Sequence, residues 1–91
     1  MYELIETRHF ERRLARFRRA HPELRRRILQ TFIDLQTDPF QSHLRLHPWR
    51  GQLEGLHAVR ITHDYRIALT QRVSEREIVL LDISSHDEVY R

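Results

Sequence analysis

Gly55-Leu56-His57-Ala58-Val59-Arg60-Ile61-Thr62-His63-Asp64-Tyr65-Arg66-Ile67 decides the fold, because its apolar residues fit a β-hairpin in one register and not in the neighbouring one. If the turn were the two residues His63-Asp64, Ile61 would pair with Arg66 and Val59 with Ala68, and each face would mix core with solvent residues. A turn over Thr62-His63-Asp64 instead gathers Val59, Ile61, Tyr65, Ile67 and Leu69 on one continuous apolar face. On the other face it sets Arg60 directly opposite Arg66, beside the small residues Ala58 and Ala68. Like charges so opposed cost from a few tenths to about 1 kcal/mol, and an anion held between them would remove that penalty.

Upstream of the hairpin the chain supplies the partners for the apolar face. Tyr2 to Glu6 alternates in the manner of a short strand, and Thr7 offers an N-cap. Phe10, Leu14 and Phe17 recur at helical spacing, with Arg12, Arg13, Arg16 and Arg19 largely on other faces, which predicts an amphipathic helix over Arg8 to Ala20. His21-Pro22 breaks it, and Pro22 suits the first turn of a second helix whose stripe is Leu24, Ile28, Phe32 and Leu35, ending at Asp38-Pro39. A loop from Asp38 to about Gly51 follows, and then strands over Leu56 to Ile61, Tyr65 to Gln71 and Glu77 to Ile83. The expected fold is α+β in the order βααβββ, a small antiparallel sheet with a two-helix hairpin packed on one face.

Composition bounds the function. A chain of 91 residues, 40% of them apolar, suffices for one domain over 1–91 and is too short for a second core. It has no cysteine, which removes disulfides, thiol chemistry and the usual structural zinc sites. Its apolar runs are short and its N-terminus turns acidic and then basic, so neither a membrane span nor a signal peptide is expected, and a cytoplasmic protein is. All 16 basic residues are Arg, against 13 acids, and nine of them lie between Arg8 and Arg27. Arginine forks match phosphates and carboxylates, so this density fits nucleic acid, an acidic protein partner, or both.

The 55–67 stretch is similar to the glycine, strand and "R-(V/I)-x-x-D-Y-R" hairpin of the RelE/ParE toxin superfamily. The ending Leu81-Asp82-Ile83-Ser84-Ser85-His86-Asp87-Glu88-Val89-Tyr90-Arg91 resembles that superfamily's "G-H-R-x-E-V-Y" terminus. His47-Pro48-Trp49-Arg50-Gly51 resembles the "H-P-x-x-G" loop of the mRNA-cleaving YafQ branch, where it contributes a catalytic histidine. The chain departs from the pattern at Ser84, where a glycine is usual, and at Asp87, where an arginine is. It also lacks the lysines with which ribosome-dependent relatives grip phosphate, so Arg45, Arg50, Arg60 and Arg91 are left to hold RNA. The resemblance implies a RelE-like microbial ribonuclease fold, a toxin neutralised by a cognate antitoxin, and an mRNA and ribosome target, with operator DNA contacted only through the antitoxin. Some superfamily members instead poison DNA gyrase and cleave nothing, and others persist as inactive co-repressors.

The residues themselves support the nuclease expectation. RNA cleavage without metal needs a base for the ribose 2′-hydroxyl, cationic donors for the transition-state charge and an acid for the leaving 5′-oxygen. His47 and His86 lie in segments flanking the Arg60/Arg66 face and are the candidate base and acid, unassigned as to which is which. Arg66 is the candidate transition-state donor, Asp64 a group to orient a histidine or accept a proton, and Tyr90 a stacking or hydrogen-bonding residue. His63 reads as a turn residue, His9, His21, His43 and His57 as surface or packing, and Trp49 as packing for its loop. No histidine pair has convincing zinc spacing with a third ligand nearby, so neither metal nor cofactor is expected.

Overall fold

In a computed structural model that describes residues 1–48 and 55–85, the order is β1 (Glu3–Glu6), α1 (Arg8–Ala20), α2 (Arg25–Thr37), β2 (His47–Pro48), β3 (Leu56–Arg60), β4 (Tyr65–Arg72) and β5 (Glu77–Ser85). Single 3-10 turns occupy Pro22–Leu24, Ser42–Leu44 and Val73–Glu75. The strands form one sheet in the order β1-β5-β4-β3-β2.

Local chemistry sets the helix ends. The Thr7 side chain accepts from the Phe10 amide at 3.1 Å and donates to the Leu80 carbonyl at 2.9 Å, so one residue caps α1 and ties it to β5. Such a cap contributes about 1 kcal/mol. Phe10, Leu14 and Phe17 turn inward, and Ile28, Thr31 and Leu35 do so from α2. Phe32, expected in the core, is half-buried against it, its ring 6.2 Å from that of Phe10. Pro22 opens a separate 3-10 turn rather than the first turn of α2, which starts three residues later at Arg25.

The hairpin register is the one the apolar pattern requires. Ala58 faces Ala68, Val59 faces Ile67 and Arg60 faces Arg66. The Ile61 amide donates to the Tyr65 carbonyl at 3.0 Å, closing the turn over 62–64. Val59, Ile61, Ile67 and Leu69 are buried under the helices, with Tyr65 packed against the cluster. Strand alternation then leaves Arg60 and Arg66 on the opposite face, the one the helices leave open.

Three features correct the expectation. The sheet is mixed, because β1 pairs with β5 in parallel, Glu3 beside Glu77 through Glu6 beside Leu80; alternation fixes which face a strand buries but not the direction of its neighbour. The segment expected as a loop to Gly51 contains both the Ser42–Leu44 turn and β2, whose His47 pairs with Ala58 and Pro48 with His57. Two residues are too few to show a period, and proline is tolerated because this is the edge of the sheet. The β4–β5 register slips between Ala68 and Leu69, which pair with Asp82 and Leu80, leaving Leu81 as a bulge. The extra residue lets Leu80 and Ile83 both reach the core although they are three apart. Among the described residues, no helix is long and apolar enough to cross a membrane.

Candidate functional site

The open face is organised around Arg66. This side chain is only 9% exposed. Its Nη1 donates to the carbonyls of Thr62, His63 and Tyr65, the last two at 3.0 and 3.1 Å, so the guanidinium ties down the turn that precedes it. Nη1 carries two protons, and Nε and Nη2 keep three more that have no hydrogen-bond partner among the described residues. Burial pushes the Arg66 pKa down from its ordinary value, the charges of Arg60 and Arg45 push it down further, and Asp64 opposes them. An arginine so shifted remains charged at neutral pH. The causes of the shift show that three guanidinium groups share one neighbourhood.

Each of the other basic groups arrives by a different route. Arg60 comes by register, directly across from Arg66. Its Nε is buried and has no hydrogen-bond partner among the described residues, an uncommon state for a buried polar atom. Arg45 comes by backbone conformation, since it ends the Ser42–Leu44 turn in the left-handed region, φ 51° and ψ 45°. For a residue other than glycine this costs on the order of 1–3 kcal/mol. His47 follows two residues later in β2 and, paired with Ala58, lies on the same face as Arg60 and Arg66. Its Nδ1 is hydrogen-bonded to the Arg45 carbonyl. A carbonyl can only accept, so Nδ1 carries the proton and the neutral ring keeps its lone pair on Nε2, the tautomer a base requires.

The chain is therefore a two-helix, five-strand α+β fold with a cluster of arginines and a tautomer-fixed histidine on its open face. Neither protein-family models nor curated proteins yield a match to the sequence. Solved structures do. A metal-bound toxin from Helicobacter pylori superimposes with a TM-score of 0.79 at 19% identity, covering 97% of this chain and 98% of that one. A YoeB/ParE toxin from Agrobacterium tumefaciens gives 0.76 at 19% identity over 94% and 99%. The E. coli DinJ-YafQ complex gives 0.71 at 11% identity, with 100% of both chains covered. The fold is that of the RelE/ParE-type toxins. At these identities the likeness is one of architecture, and it spans essentially the whole chain.

Within this toxin fold the candidates divide into two groups. Arg45, His47, Arg60, Asp64 and Arg66 are brought together on the open face or at its hairpin. Arg50, His86, Tyr90 and Arg91 lie outside the described residues, as does Trp49. Strand β5 ends at Ser85 beside Tyr65, with Ser84 beside Arg66, and His86 is the next residue in the chain. Asp64 is exposed in the turn, and no described histidine is its partner; its electrostatic contact is with Arg66. His63 is exposed and contributes its carbonyl to Arg66.

The remaining histidines have local partners. His9 lies 3.4 Å from Asp82, His21 3.3 Å from Glu23, and His57 Nδ1 3.2 Å from the Gly55 carbonyl. His21 also closes an aromatic cluster, its ring centroid 4.6 Å from Phe17 and 4.8 Å from Tyr65. His43 is different, because its Nε2 sits 2.8 Å from Asp34 Oδ2 in the wall of a cavity it shares with Arg27 and Arg60. Sequence reasoning missed this group. Arg27 is one of nine similar arginines in its region, and nothing in the spacing of Asp34 and His43 joins a helix to a later turn. Among the described residues no group of three or more His, Cys, Asp or Glu could hold a metal ion.

Proposed function

We propose that this protein is the toxin of a type II toxin-antitoxin pair and acts as a metal-independent endoribonuclease on mRNA, at the ribosome. The observation that carries the reading is the gathering of Arg45 and Arg60 around Arg66, on the face that also bears His47 with its tautomer fixed and that the helices leave uncovered. Mutually repelling cations, one of them buried, suit a site that waits for an anion. In the proposed reaction the phosphate seats among these guanidinium groups. His47 and His86 share the acid and base work on the 2′-hydroxyl and the departing 5′-oxygen. The Nε and Nη2 donors of Arg66 meet the charge that develops on the phosphorane-like transition state, while Nη1 stays bound to the turn. Arg50 and Arg91 extend the grip on the backbone, and Tyr90 stacks on a base. Products would carry a 2′,3′-cyclic phosphate and a 5′-hydroxyl.

The proposed partner is an antitoxin, as the solved DinJ-YafQ complex joins two such proteins. An acidic segment covering the Arg45, Arg60 and Arg66 face, or wrapping the exposed arginines of α1 and α2, would inhibit by occlusion. The test is to incubate purified protein with mRNA, with and without translating ribosomes and with and without EDTA, and to map the ends formed. Cleavage with cyclic-phosphate ends that EDTA leaves unchanged is the expected outcome. Growth arrest on expression with no RNA cleavage in either condition would replace this reading by that of a gyrase inhibitor.

A further inference from the structure

A cavity of about 350 Å³ lies between α2, the Ser42–Leu44 turn and the end of β3. Arg27, Gln30, Asp34, His43 and Arg60 line it. Arg27 Nε donates to the Ile61 carbonyl at 2.9 Å, which anchors its guanidinium one residue away from Arg60 and leaves both Nη groups without a partner among the described residues. Arg60 contributes the buried, unpartnered Nε. Among the described residues Asp34 is the one acid in the lining, and its carboxylate is engaged by His43 and Gln30 while also feeling the charge of Arg27. His43 Nε2 contacts Oδ2 at 2.8 Å and Gln30 Nε2 donates to Oδ1 at 2.9 Å. Hydrogen bonding from His43 is the main reason its carboxyl titrates below the usual range. A carboxylate only accepts, so His43 Nε2 carries a proton and the ring is held against the cavity wall. The lining thus offers two guanidinium groups with uncommitted donors, one of them the buried Arg60 Nε, and an oriented imidazole.

We propose that this cavity is a phosphate-binding subsite, in which Arg27, Arg60 and His43, its Nε2–H kept on Asp34 and its Nδ1 taking a proton as the anion binds, hold a phosphodiester of an RNA strand that continues onto the Arg45, Arg60 and Arg66 face. The inference rests on the reading of that face as an RNA site and extends it to a second element, α2. A phosphodiester strand fits better than a lone protein carboxylate because Arg60 belongs to both the cavity and the open face, so an occupant with repeating charges engages the two together. The volume is at the lower end for small-molecule sites and admits a sugar with its phosphate.

The experiment uses two probes, inorganic phosphate and a 2′-O-methyl RNA hexamer, which lacks the nucleophile and survives. Arginine Nε and histidine ring signals are followed by NMR during each titration. Both probes are expected to move the Arg27, Arg60 and His43 signals, with the hexamer displacing phosphate. His43→Gln and Arg27→Gln should each weaken hexamer binding about tenfold and reduce the slope of log K against log salt by about 0.7. His43 is exposed, so its variant decides the matter if Arg27→Gln loosens the Ile61 anchor. A hexamer that shifts Arg45, Arg66 and His47 but not Arg27 or His43, and binds His43→Gln as tightly as wild type, overturns the subsite and leaves the RNA reading standing. Phosphate that binds there and is not displaced by the hexamer is an adventitious ion only, and overturns it too. Absence of hexamer binding at either surface removes both readings.

Discussion

Replacing Arg66 separates its two tasks. Nη1 has two protons for three carbonyls, so it supports two full hydrogen bonds from a charged donor, each contributing roughly 1.5–3 kcal/mol net. Against them stand the burial of the guanidinium and the repulsion from Arg60 and Arg45, each repulsion from a few tenths to about 1 kcal/mol. The balance for Arg66→Ala is a loss of about 1–3 kcal/mol, which in a domain of this size lowers Tm by roughly 5–20 °C. Turnover should fall by about 10²–10³ when assayed well below that Tm, because the donors facing developing charge are gone. Arg66→Lys distinguishes the effects. An ammonium can still reach the turn carbonyls, but it cannot also present a second, divergent pair of donors to phosphate. Stability should be largely restored and cleavage should not. Urea denaturation and cleavage rates on the same samples make the comparison. An Arg66→Ala protein as stable as wild type would show that the turn does not depend on Nη1, and full activity in Arg66→Lys would refute the division of labour.

Other substitutions test neighbouring parts of the argument. His47→Ala and His86→Ala should each lower cleavage by about 10²–10⁴ with an unchanged urea midpoint; full activity in the double variant would disprove the acid-base assignment. Arg60→Ala should raise stability, by a few tenths to about 1 kcal/mol, since it removes the charge opposite Arg66, while RNA binding weakens in a filter or NMR titration; a destabilised Arg60→Ala protein would mean the pair is not strained. For pH, the Asp34 carboxyl is depressed in the folded state, so its contribution is present above its ordinary value of 3.8 and is lost as pH falls through the lower folded value. Asp34→Asn should therefore flatten the fall in stability below about pH 4, measured as urea midpoint against pH, and an unchanged acid limb would count against the His43 contact. Thr7→Ala should cost about 1 kcal/mol through its cap and its bond to Leu80, with cleavage by the folded fraction unaffected.

The parts of the fold that were legible in the sequence are those written in a repeating pattern. Alternation from Val59 to Leu69 excluded the wrong hairpin register, and the Phe10, Leu14 and Phe17 spacing placed α1 within its observed limits. The parts that were not legible break or lack a period. The bulge at Leu81 shifts the inward positions by one, β2 is too short to alternate, and the parallel direction of β1 depends on where the helix hairpin delivers the chain. Arg45 shows the limit most clearly. It carries none of the usual marks of a left-handed residue, and its conformation is imposed by the turn that ends at Leu44, whose side chain is buried.

The site was legible to the degree that it follows from register. The opposition of Arg60 and Arg66 is a consequence of alternation, but what the fold does with it is not. Arg66, expected as a donor on that face, also turns back on its own hairpin, so that one nitrogen is committed to structure and the rest of the guanidinium is held in place by it. Holding three guanidinium groups in one neighbourhood is unfavourable in the empty protein, and any polyanion that covers them removes that cost as part of its binding energy. On the proposed function, RNA and an acidic antitoxin would draw on the same source of affinity at the same surface. Competition between them then needs no conformational signal, since each occupant gains by neutralising charges that the other would otherwise neutralise.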